Sequence, residues 1–90
     1  MKFDKWLKSF KDKTVKTRLT QRIDNMSFGH FGDHKSVNDS ISELRFFFGG
    51  GYRIYYAIQQ DLIILLLCGG DKSSQNKDIE KAKQLLNESE

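Results

Sequence analysis

Ninety residues, 38% hydrophobic and 12% aromatic, describe one folded domain spanning 1–90, with room for a single core and not for two. The lone cysteine, Cys68, excludes an internal disulfide and any multi-cysteine metal site, so neither a metal nor another cofactor is expected. The opening "MKFDKWLKSF" is charged throughout and reads as no signal peptide, and the longest apolar run, Leu62 to Cys68, falls far short of the ~20 residues that span a bilayer. A soluble, cytoplasmic protein with no membrane role is expected. The net charge of +3 is uneven: residues 1–35 hold nine Lys/Arg against four acids, a net of +5, and the other 55 carry −2. A basic N-terminal third suits a polyanion or an acidic protein partner, or else a lysine-rich solvated helix surface.

In chain order, Phe3, Trp6, Leu7 and Phe10 recur at i, i+3, i+4, i+7 and predict a helix. Val15, Leu19, Ile23 and Met26 continue a helical stripe, with Thr14 a candidate N-cap; two short helices and one bent helix both fit. "SFGHFGDHKSVNDS" then breaks the pattern and reads as a loop.

From Ile41 the period becomes two. Treating Gly49 to Gly51 as a three-residue hairpin loop sets Phe48 opposite Tyr52, Phe46 opposite Ile54 and Arg45 opposite Tyr55. One face then carries Leu44, Phe46, Phe48, Tyr52, Ile54, Tyr56 and Ile58. The other carries Glu43, Arg45, Phe47, Arg53, Tyr55 and Ala57, and so holds every charge of the two strands. "QQD" is the next turn, and "LIILLLC" reads as a strand buried on both faces and central in the sheet. A loop, "GGDKSSQ", follows, with Ser73 or Ser74 to cap a last helix striped by Ile79, Ala82, Leu85 and Leu86. The fold class is α+β, with N-terminal helices on a small antiparallel sheet and a C-terminal helix.

"GGGYR" joins strand to strand, so it is a turn rather than a phosphate loop, which lies between a strand and a helix. "GGDKSS" does lie between strand and helix, but its spacing suits a capping turn better than nucleotide binding. Antiparallel pairing brings Arg53 beside the end of the following strand, so Asp71 and Lys72 emerge near it and Arg45 lies diagonal on the same face. Three cations converge there, with Glu43 and Tyr55 among them.

These segments together carry a resemblance. "WLKSFKDKTVKTRLTQRID", "ISELRFFFGGGYRIYY" and "LLLCGGDKSSQNKDIEKAKQL" resemble the HigB/RelE-type toxins of bacterial type II toxin–antitoxin modules, in the branch of addiction-module killer proteins. The specific part is the ordered set E-L-R, G-Y-R, G-G-D-K, Gln75 and Asp78-Ile79, over a match running from about Phe3 to Leu86. The resemblance implies a compact ribonuclease-like α+β fold and cleavage of mRNA on the ribosome, with Arg53, Lys72 and Arg45 as the cations. Cleavage by attack of the RNA's own 2′-OH needs charge stabilisation on the phosphorane as well as proton transfer, and arginine can grip two phosphate oxygens at once. Glu43, the one carboxylate on that face of the hairpin, would act as base or, preferably, orient Arg45. Tyr55, Tyr52, Asp71 and Gln75 would contact substrate, Tyr55 by stacking on a base or else serving the core edge. His30 and His34 are acid or base candidates by residue type, or exposed bystanders.

The resemblance further implies a cognate antitoxin, a helix-turn-helix protein of the HigA kind, with operator DNA reached only through that complex. The same fold serves ParE-type gyrase poisons, which are the alternative, and a non-toxic antitoxin-binding form is a third reading. Relatives normally carry a short strand ahead of the first helix, at which this sequence begins; either the start is trimmed or the sheet has lost an edge strand, which would leave unpaired backbone groups.

Overall fold

The computed structural model describes residues 2–60 and 63–89. Two helices, α1 (Lys2–Lys8) and α2 (Lys13–Met26), lead into strands β1 (His34–Ser36), β2 (Ser42–Arg45), β3 (Arg53–Gln59) and β4 (Ile63–Gly70). A 3-10 turn, η1 (Lys72–Ser74), then opens α3 (Gln75–Ser89). The strands form one antiparallel sheet in the order β1-β2-β3-β4. This is the α+β architecture that the periodicities predict.

The helices separate where the apolar stripe pauses. Asp12, not Thr14, caps α2, its carboxylate accepting from Thr14 N at 2.8 Å. One side of the sheet packs against α1 and α2 through Phe3, Leu19, Met26, Leu44, Phe46, Ile54 and Tyr56. The opposite side packs against α3 through Ile41, Tyr55, Ala57, Leu67, Cys68, Ala82 and Leu86. The sheet therefore carries one hydrophobic cluster on each face, where length alone predicted a single core, and α3 largely covers the face that holds the charges of β2 and β3.

Three further sequence expectations need correction, and one falls partly outside the described residues. The β2–β3 register is Leu44↔Ile54 and Arg45↔Arg53, two residues away from the three-glycine turn, because the loop runs from Phe47 to Gly51 and is closed by Phe46 N donating to Tyr52 O at 3.0 Å. A shift of two preserves side-chain parity, so the two faces keep their residues. The loop "SFGHFGDHKSVNDS" contains β1, whose three exposed residues carry no apolar alternation to reveal it. β4 is an edge strand rather than central: its apolar run is sheltered by helices on both faces, not by strands on both sides. Finally, part of the "QQD" turn, Asp61, and Leu62 lie outside the described residues.

β4 also carries a bulge. Tyr55 pairs with Cys68 and Tyr56 with Leu66, so Leu67 is the extra residue, and both Leu67 and Cys68 face α3. The phase change turns Gly69 toward α1, where an added Cβ would run into the Trp6 ring, and Gly70 toward α3, where it would run into the Asp78 carboxylate. Each glycine lets a helix seat directly on the strand end.

Candidate functional site

The end of the sheet where β3 begins and β4 stops gathers the charged residues. Arg53, the first residue of β3, points to the α3 side, and its side chain is 13% exposed. Its Nε lies 3.0 Å from Glu43 Oε2, an ion pair without an aligned hydrogen bond at that nitrogen. Nη1 donates to the carbonyls of Gly51 at 3.2 Å and Tyr52 at 3.3 Å. Glu43 is only 2% exposed, and Gln75 Nε2, on the first residue of α3, donates to its Oε1 at 3.1 Å. The guanidinium is thus fixed from two directions, and its Nη2 has no protein partner among the described residues.

Lys72 stands beside Arg53 for a reason of backbone geometry. Its amide donates to Gly50 O at 3.2 Å, tying the β4–α3 turn to the hairpin loop. Between them Gly51 adopts φ +76°, and a Cβ there would lie 3.4 Å from Lys72 Cβ and 3.6 Å from Arg53 Nη1. The lysine side chain is exposed. Asp71 caps η1, taking bonds from Ser73 N and Ser74 N, while Ser74 Oγ donates to Asp78 Oδ2 at 2.5 Å. The Ser73 hydroxyl, then the backbone amides, hold the Asp71 carboxyl below its ordinary range. Asp71 caps the 3-10 turn that leads into α3, and its carboxylate is occupied by that turn.

Arg45 faces Arg53 directly across the two strands. Like charges in that position repel, and each is answered by its own carboxylate. Glu43 pairs with Arg53 rather than with the expected Arg45, whose partner is Asp33 at 3.0 Å. The Arg45 hydrogen bond keeps the Asp33 carboxyl below its ordinary value, and Asp33 in turn raises Arg45. Arg22 of α2 holds this corner, donating to the carbonyls of Arg45, Phe31 and Asp33 at 3.0–3.1 Å. Burial lowers the pKa of Arg22, with Asp33 opposing the shift.

Tyr55 and Tyr52 both lie in cores, Tyr55 in the core position that was the alternative to base stacking. Tyr55 is 0% exposed under α3, offers no free ring for a base, and makes no hydrogen bond through its hydroxyl. Burial first, and then the Glu43 charge, push its pKa up, so it stays a phenol at neutral pH. Tyr52 belongs to the opposite face, in edge-to-face contact with Trp6, Phe10 and Phe48. His34 pairs with Leu44, which turns it to the α2 side; its Nδ1 is 2.9 Å from Gly32 O and its ring 5.5 Å from Phe31. His30 is exposed after α2. Neither histidine bonds to the Arg53 group. The structure brings Arg53, Lys72, Arg45, Glu43, Asp71 and Gln75 together and leaves Tyr52, Tyr55, His30 and His34 apart.

Sequence reasoning missed Asp33 and Arg22. Arg22 had a readable signal, since it falls between Leu19 and Met26 on the apolar stripe of α2, where a charge needs buried partners. Asp33 had none, because its partner lies in a strand twelve residues on. Among the described residues no group of three His, Cys, Asp or Glu side chains could hold a metal ion, and no helix is long and apolar enough to cross a membrane.

Residues 5–87 match the family model described as "Phage derived protein Gp49-like (DUF891)". An uncharacterized protein of Haemophilus influenzae is 51% identical over 86 residues, covering 96% of this chain and 87% of that protein. No solved structure matches the chain. The family model spans the whole cation group and, apart from Phe3, the buried residues of both cores, and the chain belongs to the Gp49-like family of phage-derived proteins, a toxin-like family of addiction modules.

Proposed function

We propose that this protein is the toxin of a type II toxin–antitoxin module and that it cuts mRNA on the ribosome. The observation that carries the reading is the placement of Arg53, oriented by buried Glu43, beside exposed Lys72 at the hairpin loop, where Gly51 holds φ +76° and Lys72 N donates to Gly50 O. Such a pair suits a phosphate on which charge accumulates during 2′-OH attack: the guanidinium offers directed N–H groups and the ammonium a point charge. Arg45, held by Asp33, adds positive potential from the adjacent strand. Glu43 serves as a positioning residue for Arg53, and Gln75 for Glu43. The site supplies positioning and electrostatics, which are most effective where water is excluded. A cognate antitoxin follows from the family; in this reading it is a helix-turn-helix protein of the HigA kind and carries the complex to operator DNA.

The test is pulse-labelling of protein and DNA synthesis just after the chain is induced alone in bacteria. Protein synthesis should fall first, and Lys72→Ala, a change at an exposed side chain that leaves the fold intact, should blunt the fall at least tenfold. If DNA synthesis fails first, the gyrase-poison reading replaces this one. If neither process changes, the protein is an antitoxin-binding form without toxicity.

A further inference from the structure

The hairpin loop holds a second feature that the cation group does not use. Phe47 is 90% exposed, whereas its neighbour Phe46 is buried and Phe48 partly so. Its surroundings are polar and cationic. A cleft of about 260 Å³ beside it is lined by Arg18, Gln21, Arg22 and Asn25 of α2 together with Phe46 and Phe48. The Arg18 guanidinium sits 3.8 Å from the Phe48 ring centroid and that of Arg22 4.6 Å from Phe46, so both loop aromatics are clamped and Phe47 is held out between them. Arg18 is exposed and forms no ion pair among the described residues. No carboxylate lines the cleft.

The position is adjacent to the proposed chemistry. Phe46 N donates to Tyr52 O to close the loop, of which Phe47 is the first residue and Gly51 the last. Gly51 O accepts from Arg53 Nη1 at 3.2 Å, and the adjacent Gly50 O accepts from Lys72 N at 3.2 Å.

We propose that Phe47 is a stacking platform for a nucleobase of single-stranded RNA, with Arg18 reaching its phosphate and Gln21 and Asn25 its base edges. The proposal rests on the RNA-cutting reading and names a substrate-binding subsite within it. The observations favour RNA over a protein partner. The cleft combines a free ring face with amide side chains and an unneutralised guanidinium, the set that single-stranded RNA recognition uses, and it lies in the basic third of the chain. An apolar protein surface would find only one exposed ring here.

The experiment measures binding of a short fluorescein-labelled single-stranded RNA to the purified full chain at low salt. Phe47→Ala should weaken binding about tenfold, as loss of one stacked base does, without lowering the melting temperature. Phe47→Leu, apolar but not aromatic, should weaken it comparably. Phe47→Trp should bind as wild type does, with indole emission above the Trp6 background quenched by the RNA. Equal affinity for wild type and Phe47→Ala overturns the platform, as does failure of the wild type to bind. Unchanged RNA binding with loss of antitoxin binding makes the cleft a protein-docking site and overturns it too. Pulse-labelling of the wild type reads the RNA-cutting function independently of Phe47, so the two can fail separately.

Discussion

The two faces of one sheet use the same strands for different ends. On the α1–α2 face, Leu19, Leu44 and Ile54 are fully buried and Tyr52 packs edge-to-face with Trp6, Phe10 and Phe48, so hydrophobic burial accounts for the packing. The α3 face begins the same way, with Ala57, Leu67, Cys68 and Ala82. At its open end, however, it buries Glu43 and most of Arg53 in an ion pair. A buried pair rarely improves stability over apolar residues of similar size, because desolvation offsets the attraction. Opposed Arg45 and Arg53 add a repulsion that packing alone would not select. The contrast separates a face arranged for stability from one that gives up stability to hold a cation in place.

The largest expected effect comes from replacing the pair outright. The double variant Arg53→Met, Glu43→Leu should abolish toxicity while its urea midpoint stays level or rises, since breaking only one partner costs about 3–5 kcal/mol but removing both does not. A marked loss of stability in the double variant would make the pair structural and dissolve the contrast. On the other face, Leu19→Ala should lower stability by about 2–5 kcal/mol and leave toxicity per folded molecule unchanged. Equilibrium unfolding combined with growth assays at matched folded protein checks both halves of that statement.

The smallest effect concerns pH. Asp33 has its folded pKa depressed, by the Arg45 hydrogen bond first. Its contribution to stability is therefore present above the unfolded carboxylate value of about 4 and is lost as pH falls through the lower folded value. Asp33→Asn should flatten the acid limb of the stability profile and leave the neutral region with the same slope. An unchanged acid limb would mean that Arg45 is not held by this carboxylate in solution.

Much of this contrast was legible in the residues. Alternation across Glu43–Arg45 and Arg53–Ala57 assigned both faces correctly even though the register was two residues off, because parity survives an even shift. What the loop needed was its length, and three glycines suggested a tighter turn than the five residues from Phe47 to Gly51. β1 was hidden because three exposed residues leave no hydrophobic signature. At the site, Arg53, Lys72, Arg45 and Glu43 were visible as a group, whereas pairing choices were not. That Glu43 takes Arg53 and leaves Arg45 to Asp33 depends on where a loop returns in space. Tyr55 looked available because its strand face was charged, and only the placement of α3 buries it.

The most direct test of the central claim is to map mRNA ends in cells soon after inducing wild type or Arg53→Ala, with antitoxin capture confirming that the variant is folded. The account predicts new internal cuts within translated regions for the wild type and their loss, by at least about a hundredfold, in the variant. Equal cutting by a folded Arg53→Ala protein would contradict it.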